Sequence, residues 1–478
     1  MHWSGTVLWV AFTQAVSTAL VTVPLTRSED GLHFLMALEL GTPNQTLNVI
    51  VDTGSSEFSV FEEATLCGTS TPCFNPAASS SITALPGLDG GLALLVDGET
   101  VSSSGSTVAS DVASMIPGGH PVRVTFSLIN RLVISDPIPG APLQALHRAQ
   151  GLLGLAYESI ATLSCPGRAN ASCTPFERLA GFTGMSYRPL VSIDLGGPAP
   201  QLLIGDVPGA RAPPVQWSDR IPYSRPFFHH FTIHSLSVCG VSMFANYTQH
   251  WDAIVDTGAS CLSLPGEFFD TVMAWIPSSC DAPVHVNGQY GSMMYQTCYV
   301  NETVVNLPSL SFTVTNGGDP IYLPIQNLLL PSSGGRRRIC MFRDIDAFSS
   351  TAVQLRPISF GALAMTALFA SFDMSSAQRV GLANQPGING TGANDNCKAP
   401  APCIGQQTYW APLNACQDPD CSNYLVMGLD PATRQCTFDQ AAAITVYAIV
   451  TALFVAEVGL QAFYRQQCHR VKRSISSQ

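Results

Sequence analysis

One short stretch occurs twice in this chain, and it constrains the fold more than anything else in the sequence. Residues 50–60 read I-V-D-T-G-S-S-E-F-S-V and residues 254–264 read I-V-D-T-G-A-S-C-L-S-L. Seven of the eleven aligned positions are identical, at an offset of 204 residues (256 − 52). A lone D-T-G arises by chance in roughly one chain in ten of this length. Two copies, each preceded by β-branched residues, carry more weight: each reads as a buried strand entering a glycine-permitted tight turn that presents a carboxylate. A second pair of landmarks keeps step. Leu152-Leu153-Gly154 ends 102 residues after the first Asp (154 − 52), and Ser359-Phe360-Gly361 ends 105 after the second (361 − 256). Matched spacing predicts a duplicated lobe, and so a two-lobed molecule with pseudo-twofold symmetry.

The surrounding pattern is that of a mainly β protein. Residues 32–60 alternate through F-L-M-A-L-E-L, turn at Gly41-Thr42-Pro43-Asn44 and return as L-N-V-I-V-D, a hairpin feeding the first Asp. Further strand-like runs cover 122–134, 189–206 and 227–241, between Gly and Pro turns. The best short helix covers 267–276. His229, His230 and His234 lie in one strand-like run without an acidic or cysteine ligand, so they read as structural and no metal site is expected. Arg336-Arg337-Arg338, among Ser and Gly, reads as a solvated basic loop, with a processing site as the other reading.

Composition bounds the compartment and the partners. Only 12% of residues are charged and the net charge is −11, with lysine confined to Lys398 and Lys472, which argues against nucleic acid as a partner. Fifteen cysteines without zinc spacing, and sequons at Asn44, Asn170, Asn246, Asn301 and Asn389, point to the secretory pathway. The expected organisation starts with a signal peptide over 1–19 and a short leader over 20–31. Catalytic lobes follow over 32–210 and 211–385, then a Cys-rich connector over 386–440. An apolar span over 441–463 is long enough to cross a bilayer. Arg465, Arg470, Lys472 and Arg473 follow it, which places the tail 464–478 in the cytoplasm and the lobes on the lumenal or extracellular side. Setting aside Cys468 on the cytoplasmic side leaves an even number of cysteines for disulfides. Cys67 with Cys73 and Cys165 with Cys173 are short candidate loops, and the pairing of Cys239, Cys261, Cys280, Cys397, Cys403, Cys416, Cys421 and Cys436 stays open.

Two carboxylates brought together by a twofold axis cannot both ionise cheaply, so they share a proton. Such a pair can hold a water, take its proton with one member and donate to a peptide carbonyl with the other. No metal or cofactor is needed. The doubled V-D-T-G-[SA]-S, the G-T-P-N-Q turn and the two hydrophobic-Gly motifs resemble the pepsin-like aspartic proteases over about residues 32–385. Within that family G-L-L-G-L-A-Y, F-G-A-L-A-M-T-A-L-F-A-S-F-D, R-V-G-L-A and the C-terminal span look most like the membrane-anchored β-secretase (memapsin) branch.

The resemblance implies that Asp52 and Asp256 are the catalytic dyad and that Thr53 and Thr257 tie the two turns together. It implies that Gly54 and Gly258 leave room for substrate backbone, and that Ser55 donates to the outer oxygen of Asp52. It also implies a disulfide between Cys298 and Cys340. Three departures stand out. Ala259 replaces the hydroxyl opposite Ser55, which should raise the dyad's pKa values. No Tyr precedes Tyr157, so the flap region near 92–115 lacks the family's tyrosine, and Ser59 stands where its tryptophan partner would be. The leader is too short for the family's basic prosegment. The expected protein is a monomeric membrane-anchored endopeptidase acting on extended polypeptides, some of them membrane-bound. The alternative is a pepsin-fold binding or receptor protein that cleaves weakly or not at all.

Overall fold

The computed structural model describes residues 21–62, 64–67, 72–86, 88, 93–96, 99–103, 106–134, 149–157, 174–181, 190–205, 214–219, 227–244, 248–288, 291–344, 357–375, 377–423 and 425–475. The expected signal peptide, Cys165, Asn170, Cys173 and Asn246 lie outside them. The chain divides into two compact units, with the boundary between Lys398 and Ala399.

The first unit is built from strands, and its halves repeat one device. In the first half, strand Phe34–Leu40 turns back into strand Gln45–Asp52, with Leu40 opposite Gln45 and Leu35 opposite Ile50. Gln45–Asp52 then runs parallel to Gly151–Gly154, with Gly154 opposite Asp52, and strand Phe58–Phe61 flanks Gly151–Gly154 antiparallel. In the second half, Trp251–Val255 runs parallel to Ile358–Phe360, with Val255 opposite Phe360, and Leu262–Leu264 flanks that strand antiparallel. The two landmark pairs read from spacing are therefore neighbours in the ladder. Both glycines are sterically required. A Cβ at Gly154 would lie 2.4 Å from the Ser55 carbonyl oxygen, and one at Gly361 2.2 Å from that of Cys261.

Each half has its own aromatic core. Phe58 packs on Phe126 with ring centroids 5.4 Å apart, and Phe360 packs on Phe312 at 5.2 Å. All four rings are 2% exposed or less, and burying such a side chain contributes about 1.5–3 kcal/mol. Helix Gly266–Trp275 lies where the sequence pattern put it, with Phe268, Phe269, Val272 and Trp275 on its buried face.

A shared sheet joins the halves. Leu190–Asp194 of the first half pairs antiparallel with Leu368–Asp373 of the second, and Ser192 faces Ser371 at the centre, hydroxyl to hydroxyl at 2.9 Å. Outward on one side come Gln201–Gly205 and Val21–Arg27; on the other come Val380–Asn384 and Gln216–Trp217. The strand order is thus symmetric about the Ser192–Ser371 pair. One expectation is corrected here: residues 21–27, read as part of a leader, are a strand that pairs with Gln201–Ile204 and with Phe34–Met36. The alternation V-T-V-P-L buries Val23 and Leu25 against the sheet.

The expected Cys298–Cys340 disulfide is also corrected. Cys298 bonds Cys280, because strands Ser278–Cys280 and Cys298–Asn301 place the two directly opposite each other. Cys340 bonds Cys261, its neighbour across the parallel pairing of Leu262–Leu264 with Met341–Arg343. Cys67 is bonded to Cys73, and Cys239 to Cys397. The Arg triplet is not a free loop: strand Arg336–Ile339 is paired on both sides, and Arg336 stacks over the Tyr299 ring at 4.4 Å. Asn44, Asn301 and Asn389 are exposed.

The second unit opens with the Cys-rich segment, which is more ordered than its composition suggested. It holds hairpin Thr408–Trp410 with Ala415–Gln417 and hairpin Met427–Asp430 with Gln435–Phe438, in a segment closed by Cys403–Cys416 and Cys421–Cys436. Strands of three and four residues are too short to show a period. Asp439 then accepts from the backbone N–H groups of Ala441 and Ala442, capping helix Gln440–Ile475. Over Gln440–Arg470 this helix is long and apolar enough to cross a membrane. Cys468 on it is an exposed free thiol.

Candidate active site

Asp52 ends its strand with its carbonyl bonded to the Leu155 N–H at 2.7 Å, so the backbone leaves the sheet at a fixed point. Asp256 is fixed by its own N–H, which donates to the Phe360 carbonyl at 3.0 Å. The threonines that follow each Asp interlock the two turns. The Thr53 N–H donates to Thr257 Oγ1 at 3.1 Å and the Thr257 N–H to Thr53 Oγ1 at 3.0 Å. Each hydroxyl in turn donates across the axis, Thr53 to the Val255 carbonyl at 2.8 Å and Thr257 to the Val51 carbonyl at 2.6 Å. Both threonines are buried, and a buried donor without its partner costs about 1–3 kcal/mol. The two turns are therefore held together as one object.

The glycine of each turn lies against the carboxylate of the other. A Cβ on Gly54 would sit 2.3 Å from Asp256 Oδ1, and one on Gly258 would sit 2.3 Å from Asp52 Oδ1. They leave room for the opposite carboxylate. This is why glycine must follow the threonine in both turns, and why the two acids lie against one another.

The surroundings of the two acids differ. Asp52 is 2% exposed; it accepts from the Gly54 N–H at 2.7 Å on Oδ1 and from the Ser55 hydroxyl at 2.5 Å on Oδ2. Asp256, partly exposed, accepts on Oδ1 from the N–H groups of Gly258 and Ala259, both at 3.2 Å. Burial raises the pKa of both. The bonds from Ser55 and Gly54 restrain the rise at Asp52. Asp256 is pushed up to about 8, first by burial and then by the charge of Asp52. The Ser55 hydroxyl favours the charged form of Asp52 and so biases the shared proton towards Asp256. Such a pair can polarise a bound water and a carbonyl together.

Other singled-out residues fall nearby or elsewhere. Ser59 is fully buried, on the strand that flanks Gly151–Gly154. In the flap region Ala93–Val96 pairs antiparallel with Glu99–Ser103; residues 97 and 98 lie outside the described residues. His229 bonds the Leu155 carbonyl at 2.9 Å and stacks on Phe372 at 4.2 Å, a brace between the halves. Its ring is held neutral by burial, with the pKa lowered to about 4. Sequence reading missed His33, whose Nε2 lies 3.1 Å from the Gly258 carbonyl. A single imidazole nineteen positions before an Asp carries no motif, and only the strand register brings it under the second turn.

Comparison with known proteins agrees with this geometry. The family model for eukaryotic aspartyl proteases matches residues 33–385. Rhizopuspepsin-1 of Rhizopus niveus is 27% identical over 300 residues, covering 61% of this chain and 69% of its own. Gastricsin of Rattus norvegicus is 25% identical over 362 residues, covering 72% and 79%. Cathepsin E of Aquarana catesbeiana is 26% identical over 323 residues, covering 65% and 72%. The chain belongs to the eukaryotic aspartyl protease family, the pepsin-like aspartic endopeptidases.

Proposed function

We propose that this chain is a membrane-anchored aspartic endopeptidase in which Asp52 and Asp256 activate the water that attacks the peptide bond. The observation that carries the reading is the pair of mutually apposed carboxylates, each lying over the glycine of the other turn, in surroundings unequal enough to part their proton affinities. Asp52 takes the proton of the water while Asp256 donates its own to the scissile carbonyl. Attack is direct and forms no covalent intermediate with the enzyme. Substrates are extended segments of other polypeptides, aligned by their backbones.

The apolar helix after the disulfide-tied hairpins supports a type I anchor, with the dyad lumenal or extracellular, in the manner of the β-secretase branch that the motifs resemble. A tether raises the effective concentration of membrane-bound substrates, which favours processing or shedding of such proteins. The experiment is cleavage of a mixed peptide library by the full-length protein in detergent from pH 3.5 to 7. Asp256→Asn and a pepstatin-type inhibitor should each abolish cleavage. Turnover that survives Asp256→Asn would overturn the dyad, and release of the protein by alkaline carbonate would overturn the anchor.

A further inference from the structure

We propose that His33 is a positioning residue of the dyad, holding the Gly258 carbonyl so that the N–H of the same peptide group is directed at Asp256. The inference rests on the reading of Asp52 and Asp256 as the dyad. His33 is fully buried just ahead of strand Phe34–Leu40. Its backbone is clamped: the His33 N–H donates to Ser28 Oγ at 2.9 Å, and the Ser28 N–H donates to the His33 carbonyl at 2.9 Å. The ring then crosses to the other half, with Nε2 at 3.1 Å from the Gly258 carbonyl oxygen and 3.4 Å from Ser260 Oγ.

A carbonyl oxygen only accepts, so Nε2 carries a hydrogen and donates it. Nδ1 has no hydrogen-bond partner among the described residues. The carbonyl it holds belongs to the peptide whose N–H, on Ala259, reaches Asp256 Oδ1 at 3.2 Å. That N–H is also shared with the Asp256 carbonyl at 3.3 Å, so small changes in its direction and strength matter. Donation into a carbonyl strengthens the N–H of the same amide by about 10–30%. His33 thus partly makes good the donor that Ala259 lacks and that Ser55 supplies to Asp52. The charged groups around it are few in role: the dyad faces the turn, Asp30 accepts from Ser28, and Arg27 lies over the Phe34 ring.

The test compares wild type, His33→Gln, which keeps a donor near the Nε2 position, and His33→Phe, which keeps the ring and loses it. In full-length protein, H33F should move the alkaline limb of kcat/KM about half a unit to higher pH, while H33Q keeps the wild-type profile. Carboxyl-carbon NMR titration of Asp256 should show the same upward shift without turnover. An H33F profile and Asp256 titration that both match wild type, even with a lowered Tm, would overturn the inference. If H33F does not fold, His33→Met takes its place under the same criterion. Absent turnover in wild type would overturn the protease reading instead, and the NMR titration would still decide the role of His33.

Discussion

Ser55 offers Asp52 a hydroxyl that Ala259 cannot offer Asp256, and that difference biases the shared proton towards Asp256. Ser55 donates to the Asp52 oxygen that the backbone leaves free, whereas at Asp256 both backbone donors crowd onto Oδ1. Ala259→Ser should supply the missing donor to the charged form, lower the pKa of Asp256, and move the alkaline limb of activity towards acid by up to about one unit. The pH profile of kcat/KM, compared with wild type, checks this; an unmoved limb would mean that the added hydroxyl points elsewhere. At this scale the sequence was most legible where the chemistry is local. A D-T-G turn declares its carboxylate and its glycine within three residues, although the glycine's actual neighbour, the other half's carboxylate, could not be read from one turn alone. His33 was illegible for the same reason: its partner lies 225 residues away.

At the scale of elements, the strand into the turn and the hydrophobic-Gly strand beside it form the mechanical unit. A Cβ at Gly154 would meet only backbone, the Ser55 carbonyl carbon at 2.5 Å and the Ser56 nitrogen at 2.6 Å, and backbone cannot rotate away. Gly154→Ala should therefore displace the turn that carries the Ser55–Asp52 bond. Expected are a loss of about 1–3 kcal/mol in urea unfolding and a fall in kcat of at least about tenfold, because misplacement of reacting groups is costly. Gly197→Ala is the control. Its Cβ would find nothing nearer than 3.9 Å, so it should stay within about 0.5 kcal/mol of wild type. Equal behaviour of the two variants would show that the turn has slack. Hairpins and the helix after the second turn were legible because their periods are carried by consecutive residues. The short Cys67–Cys73 loop was legible from its spacing, but long-range cysteine pairing was not, since Cys280–Cys298 and Cys261–Cys340 follow from which strands lie side by side.

For the whole molecule, the offsets between motifs were enough to expect two related halves, but not the means by which they are joined. That depends on Leu190–Asp194 meeting Leu368–Asp373, and on side chains such as His229 that cross between halves. His229 also makes the union sensitive to pH. Its folded-state pKa is lowered from 6.5 to about 4, so the fold favours the neutral ring. The contribution is fully present above pH 6.5 and is lost as pH falls through the window to about 4. At about 1.4 kcal/mol per pH unit the total change approaches roughly 3 kcal/mol. Asp256 has the opposite sign, because a carboxyl whose pKa is raised favours the fold at low pH and withdraws that support as pH rises towards 8. The two can be separated by a difference measurement. His229→Phe keeps an aromatic ring against Phe372 and removes the titration, at the loss of the bond to Leu155. Urea unfolding of both proteins should show the advantage of wild type shrinking steadily from pH 6.5 to 4, while the dyad's contribution cancels in the difference. A wild-type advantage that stays constant across that window would mean that the imidazole accepts its proton in place, and that the halves are joined by the sheet and the threonines without help from His229.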